Sequence, residues 1–354
     1  MIALGKQRAS AKNNRQKGFS LLEMLVAMAI LVIVAGTVIM GMIRLTWSES
    51  TVMNRTQMHS SVRNATELLQ QEVGQAGRLG SQTGLKFTTA ITVPAGSASI
   101  SASPTITTTA ASGSATDGLY VGENLVVDPN STSEETVTVT ALTATAVTAT
   151  FLNSHPANSP VMVLGGFASG IVPPSGSSML ILNGNGTANS TLSSTQGSSG
   201  SVLKLYGDLN GDGTMVYVAY KCDQSAGTLY RYISTDITSA SSLTSTLLLD
   251  NLGQNPNSAP CFTYQTKDAS VTLTGGSSVI ETFVINVAVT LTVNTQNKDL
   301  QTNATQNETK ALLNIAPRNV FDAWELAGDP SGYTRAQPMP SNVYSNLLSV
   351  TLPR

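Results

Sequence analysis

Hydrophobic and polar positions divide the chain into three regimes. From Met24 to Ile43 twenty residues pass without a charge, and at about 1.5 Å per residue a helix of that length matches the roughly 30 Å of a bilayer core. Met58, Val62, Ala65, Leu69, Val73 and Ala76 then follow at intervals of three and four, on one helical face. Arg55, His59, Arg63 and Glu67 recur every four residues on another face. That stripe predicts a solvated surface, with subunit contacts as the competing reading. One helix is expected from Phe19 to about Leu79, ended by Gly80, apolar all round in its first half and amphipathic in its second. Gly74 and Gly77 weaken its last turns and allow an earlier end. At roughly 60 residues it would be about 90 Å long.

Beyond Gly80 the period changes to two. Thr136 to Leu142 (TVTVTAL), Ala146 to Leu152 (AVTATFL), Met215 to Tyr220 (MVYVAY) and Phe283 to Val293 (FVINVAVTLTV) alternate or run β-branched, with Gly, Asn, Asp and Pro between them. The fold class expected is α+β, a long N-terminal helix, transmembrane then amphipathic, packed on a β-rich globular head. Residues 117–165, from Asp117-Gly118-Leu119-Tyr120-Val121-Gly122 through His155 to Val161-Met162-Val163-Leu164, look like a small self-contained β module. The Ser- and Gly-rich stretch from Asn183 to Ser201 reads as a flexible surface loop or linker. Residues 201–316 would form the main sheet on the helix. The chain thus divides into a leader at 1–18, the helix at 19–80, a Ser/Thr-rich β module and linker at 81–200, and a C-terminal β-sheet head at 201–354.

Composition places this architecture outside the cytoplasm. Only 11% of the 354 residues are charged, and Ser and Thr supply roughly a quarter of the chain. Between Thr136 and Leu203 there is no Asp, Glu, Lys or Arg. A formal net charge of −2 argues against a nucleic-acid partner. The basic excess is confined to Lys6, Arg8, Lys12, Arg15 and Lys17, ahead of the apolar run. The positive-inside rule therefore puts the N-terminus in the cytoplasm and the bulk of the chain outside. A cleaved secretory signal competes, but the apolar run is longer than a usual signal core and lacks a small-x-small site at its end.

Glu23 interrupts the apolar stretch five places after Gly18. A lone carboxylate at the edge of hydrocarbon costs roughly a few kcal/mol, so it marks either a hydrated interface or a purpose. The segment Lys17-Gly18-Phe19-Ser20-Leu21-Leu22-Glu23-Met24 resembles the type III signal of type IV pilins and type II secretion pseudopilins. The resemblance implies that a prepilin peptidase cuts between Gly18 and Phe19 and methylates the new amino terminus of Phe19. It also implies that Glu23 pairs with the amine of a neighbouring subunit during assembly, which would offset an otherwise costly buried charge. Tyr217-Val218-Ala219-Tyr220, Leu229-Tyr230-Arg231 and Pro317-Arg318-Asn319 resemble PilW-like minor pilins more than the major pilin, and the length agrees. The firm part of the likeness covers the leader and helix.

Chemistry elsewhere is sparse. Cys222 and Cys261 are the only cysteines. Outside the inner membrane they are most simply one disulfide, closing a loop worth roughly 4 kcal/mol on the chain-entropy argument, against two free buried thiols. Asp208-Leu209-Asn210-Gly211-Asp212-Gly213 places Asp208, Asn210 and Asp212 as in the opening of a calcium loop, yet the twelfth position is Ala219 rather than an acid. Calcium, and a plain Asn/Asp/Gly turn between strands, both stand. The two histidines are His59 on the helix and His155 in a loop, and Glu134-Glu135 reads as an exposed pair at a strand start. No G-x-S-x-G, P-loop or H-E-x-x-H is present, so an enzyme is not expected.

Three functional readings follow. The first is a minor pilin that starts or caps a type IV pilus and serves adhesion or twitching motility. The second is a minor pseudopilin of a type II secretion system. The third is an adhesive ligand-binding module mounted on a pilin helix, with residues 117–165 or the Asp208 loop as its surface. Expected partners are other pilin subunits, the prepilin peptidase, the inner membrane before assembly, and a tip adhesin or surface ligand. The expected location is the bacterial inner membrane, then the cell-surface pilus.

Overall fold

The computed structural model describes residues 18–353 except 111–113, 164, 184–185, 237–238, 240–241, 273–277, 301 and 328–335. The leader cations Lys6 to Lys17, and Leu164, lie outside the described residues. The architecture is α+β, a long N-terminal helix and a β-rich head.

Helix α1 spans Leu21–Gln75. Every residue from Leu21 to Glu49 is exposed, whereas Met58, Val62, Ala65, Leu69, Val73 and Ala76 are buried against the head. The helix stops four residues before Leu79. Gly77 turns the chain at φ +81°, and the Asn319 side-chain amide donates to the Gln75 and Ala76 carbonyls at 3.2 and 3.3 Å. Those carbonyls would otherwise be orphaned at the helix end.

A seven-stranded antiparallel module follows. It comprises β1 (Lys86–Phe87), β2 (Ile100–Ala102), β3 (Ile106–Thr107), β4 (Asn124–Val127), β5 (Glu135–Leu142), β6 (Val147–Phe151) and β7 (Ser159–Val163), in the order β2-β6-β5-β4-β7-β1-β3. The alternation in β5 works as its spacing predicts, with Val137 and Val139 buried beside Phe87, Leu125, Val147 and Phe151. The module begins near Leu85 rather than at Asp117. Strands β1 to β3 run only two or three residues, too short to show a period, and Asp117 to Gly122 is turn structure rather than strand.

The rest of the head forms one body. Strand β8 (Gly166–Phe167) leads to a hairpin of β9 (Ser178–Asn183) and β10 (Gly186–Thr191), and then to a four-stranded sheet of β11 (Val202–Gly207), β12 (Val216–Asp223), β13 (Thr228–Ser234) and β14 (Thr244–Leu249). A second sheet holds β15 (Leu252–Gly253), β16 (Phe262–Thr272), the 17-residue β17 (Ser278–Asn294) and β18 (Asn307–Ile315). Helix α2 (Arg318–Leu326) and β19 (Ala336–Gln337), which pairs with β8, complete it. The stretch read as a linker contains a strand, β10, which pairs antiparallel with β9 and is followed by turns. Its hydroxyl side chains satisfy local backbone groups, and Leu180 and Leu192 are buried in the body.

The buried face of α1 packs on both sheets, against Leu203, Leu205, Val218 and Tyr220 from one and Val287, Val289, Leu291 and Val293 from the other. On the opposite face of the four-stranded sheet, the C-terminal Val343, Leu347, Leu348 and Leu352 cover Tyr206, Tyr217 and Tyr232. Lys204 fixes that strap. It is 2% exposed, its ammonium donates to the Thr195, Gln196 and Leu348 carbonyls at 2.5, 3.1 and 2.8 Å, and burial brings it down to about 8.

Module and body meet backbone on backbone just past the helix end. A Cβ on Gly118 would stand 1.2 Å from the Gly80 carbonyl oxygen, and one on Gly170 would stand 2.2 Å from the Gly77 Cα. No other residue fits these two crossings without a shift of the main chain.

Candidate functional site

The N-terminal signal is built on local backbone chemistry. Gly18 and Phe19 precede the helix, and Ser20 is its N-cap, with extended φ/ψ. Its hydroxyl oxygen accepts from the Leu22 amide at 3.2 Å and the Glu23 amide at 3.5 Å, while Glu23 Oε2 accepts from the Ser20 amide at 3.0 Å. This is a capping box, two orphan donors satisfied reciprocally. Beside its charge, Glu23 thus has a second role, whose sequence signal is the Ser-x-x-Glu spacing before an apolar run. Phe19 is 87% exposed. An 18-residue window of α1 has a mean hydropathy of 2.7 with none of it buried, so by length and composition the helix can cross a membrane.

Where α1 meets the head, one acid governs the contact. Glu72 is 5% exposed and receives Arg231 of β13 through Nη2 and through Nε at 3.1 and 3.2 Å, and the Tyr220 hydroxyl of β12. Burial and the adjacent Glu72 carboxylate push the Tyr220 phenol far above its ordinary range, so it remains a donor. The stripe expected to be solvated is exposed but engaged. Arg55 donates to Gln306, His59 pairs with Glu308, and Gln57 donates to Gln296 at 3.2 Å, while Arg63 pairs with Glu67 along the helix. The contacts of Arg55, Gln57 and His59 fasten the helix to the β17–β18 connection and the start of β18, which no local sequence pattern could reveal.

The Asp208 loop forms a tight turn. Asp208 is buried, its Oδ1 accepts from the Gly211 and Asp212 amides at 2.8 and 3.1 Å, and its Oδ2 accepts from the Gly213 amide at 3.2 Å. The Arg78 guanidinium lies 3.7 Å from Oδ2, where it opposes a second cation. Asn210 and Asp212 are exposed, and among the described residues no group of three His, Cys, Asp or Glu could hold a metal ion. These residues fit a calcium ion poorly. Melting of the protein in ~10 mM calcium and in chelator should therefore coincide, whereas a bound ion at ten times its dissociation constant would stabilise by about 1.4 kcal/mol.

Cys222 on β12 and Cys261 ahead of β16 form a disulfide that joins the two sheets. His155 corrects the expectation for Glu135. It is fully buried, with Nδ1 2.6 Å from Asp128 Oδ2 and Nε2 2.6 Å from Glu135 Oε1. Glu135 is 6% exposed rather than solvated, and also accepts from the Leu152 and Asn153 amides at 2.8 and 3.1 Å. Ser159 donates to Asp128 at 3.0 Å. The cluster ties the β4–β5 turn to the segment after β6, and its complete burial suits structure rather than catalysis.

Residues 13–39 match the prokaryotic N-terminal methylation motif. The match runs from ahead of the helix into the first part of α1, and it makes this segment a prepilin-type signal of the pilin and pseudopilin kind. Such a signal implies processing by a prepilin peptidase and association with pilin subunits in general. No curated protein and no solved structure matches the chain.

Proposed function

We propose that this chain is a minor pilin of a type IV pilus, cleaved between Gly18 and Phe19, methylated on Phe19 and carried into the filament by α1. The observation that supports it most is the methylation motif on a helix whose first 29 residues, Leu21 to Glu49, are exposed and, up to Ile43, almost wholly apolar. Such a surface is stable only in lipid or against other apolar helices. The second half of α1 supplies the stalk of the head. The β module enters and leaves the body beside Gly77, at the end of α1 remote from the signal, as a displayed domain requires. A domain in that position favours a pilus tip, with adhesion or motility as the role, over the secretion reading.

Glu23 tests the proposal because its two roles separate chemically. Glutamine retains the capping box but carries no charge, while alanine loses both. Both Glu23→Gln and Glu23→Ala should leave membrane insertion intact and keep the protein out of sheared pili. If Glu23→Gln enters filaments as the native chain does, Glu23 acts as a cap and not as a partner for a neighbour's amine.

A further inference from the structure

A cleft of about 530 Å³ lies where the module meets the body. Asp117 and Tyr120 line it from the module side, Asp212 and Met215 from the Asp208 loop, and Gln82 and Tyr206 complete the wall. Its size is that of a small-molecule site, at a junction of two units where such sites concentrate.

The polar groups in it are unsatisfied in a particular way. Asp117 uses Oδ2 to accept from the Ser114 amide at 2.6 Å, and Asp212 uses Oδ1 to accept from the Thr214 amide at 2.8 Å. The second oxygen of each has no protein partner among the described residues, and both side chains are exposed. Tyr206 is 1% exposed, held edge-on to Phe167, and its hydroxyl likewise has no partner among the described residues. A hydroxyl in the wall of this cleft can both donate to and accept from a polar ligand.

The donor set narrows the class. Among the described lining residues there is no Lys, Arg or His to meet a phosphate, sulfate or carboxylate. A purely apolar ligand would desolvate the carboxylates without pairing them. Free carboxylate oxygens, an amide and a phenol next to the apolar surfaces of Tyr120 and Met215 suit a ring with hydroxyls at its edge and C–H groups on its faces. We infer that this cleft binds an uncharged saccharide through Asp117, Asp212, Gln82 and Tyr206. The inference does not depend on processing or assembly, so it can fail while the minor-pilin reading stands.

The test uses the full chain in a detergent without a sugar headgroup, with saturation-transfer NMR on glucose, galactose and N-acetylglucosamine at about 10 mM each, and spermidine as a cationic control. At least one sugar should receive saturation and spermidine should not. Tyr206→Phe removes only the unpartnered hydroxyl, so it should keep the native melting temperature and weaken that sugar by about tenfold. Asp117→Asn, on the exposed rim, should weaken it as well and serves if Tyr206→Phe folds poorly. Saturation of none of the sugars, saturation of spermidine alone, or equal sugar binding by wild type and Asp117→Asn would overturn the assignment.

Discussion

Replacing Glu72 with alanine is expected to destabilise the packing of α1 on the head by about 3–5 kcal/mol, the cost of leaving a buried charge uncompensated. The loss arises because Arg231, at 17% side-chain exposure, keeps its charge and pairs with no other carboxylate among the described residues, while the Tyr220 hydroxyl loses its acceptor. Denaturant unfolding of the full chain in detergent, followed by the tyrosine near-ultraviolet signal, reads the difference. The double change Glu72→Leu with Arg231→Met should recover much of the stability, because an apolar pair of similar volume removes both desolvation penalties. If Glu72→Ala unfolds at the wild-type midpoint, the helix is not held to the sheet through this acid.

A second large effect is expected with pH. Burial raises Glu123 to about 8, and Glu281, which is fully buried, well above the ordinary carboxylate range. The folded state therefore holds protons that the unfolded chain has released above about 4.5. Stability falls as pH rises from there, by up to roughly 1.4 kcal/mol per unit for each group, and for Glu123 the fall ends near 8. Glu123→Gln should flatten this dependence and stabilise the head at pH 8 by roughly 3–5 kcal/mol, an upper figure because buried sites relax. Unfolding midpoints at pH 5.5 and 8.5 for wild type and variant check it. A wild-type head more stable at 8.5 than at 5.5 would show that these carboxyls are hydrated.

Glu72 and Glu135 show why part of the structure is not legible in the sequence. The buried face of α1 is, because six apolar residues at intervals of three and four can lie on only one side of a helix. Glu72 stands beside that face and reads as solvated until Arg231, 159 positions away in sequence, is brought to it by the pairing of β12 with β13. Glu135 looked exposed for the same reason, since its partner His155 reaches it only after β5 and β6 have paired. The Val and Thr alternation of β5 announces its strand, whereas the short strands β1 to β3 have no period to read, which displaces the start of the module. In the signal, Gly18, Phe19 and Glu23 stand out through their resemblance to prepilin signals, and the match over residues 13–39 covers that segment. The capping role of Ser20 and Glu23 is present in the Ser-x-x-Glu spacing and needs only local backbone reasoning.

The cleavage that would turn this chain into a filament subunit can be observed directly. Intact-mass and N-terminal peptide mass spectrometry of the protein, isolated from cells that possess a prepilin peptidase, should find a chain starting at N-methyl-Phe19 with the apolar segment to Ile43 retained. An intact Met1, or a new terminus beyond Ile43 with the span removed, would contradict the pilin account.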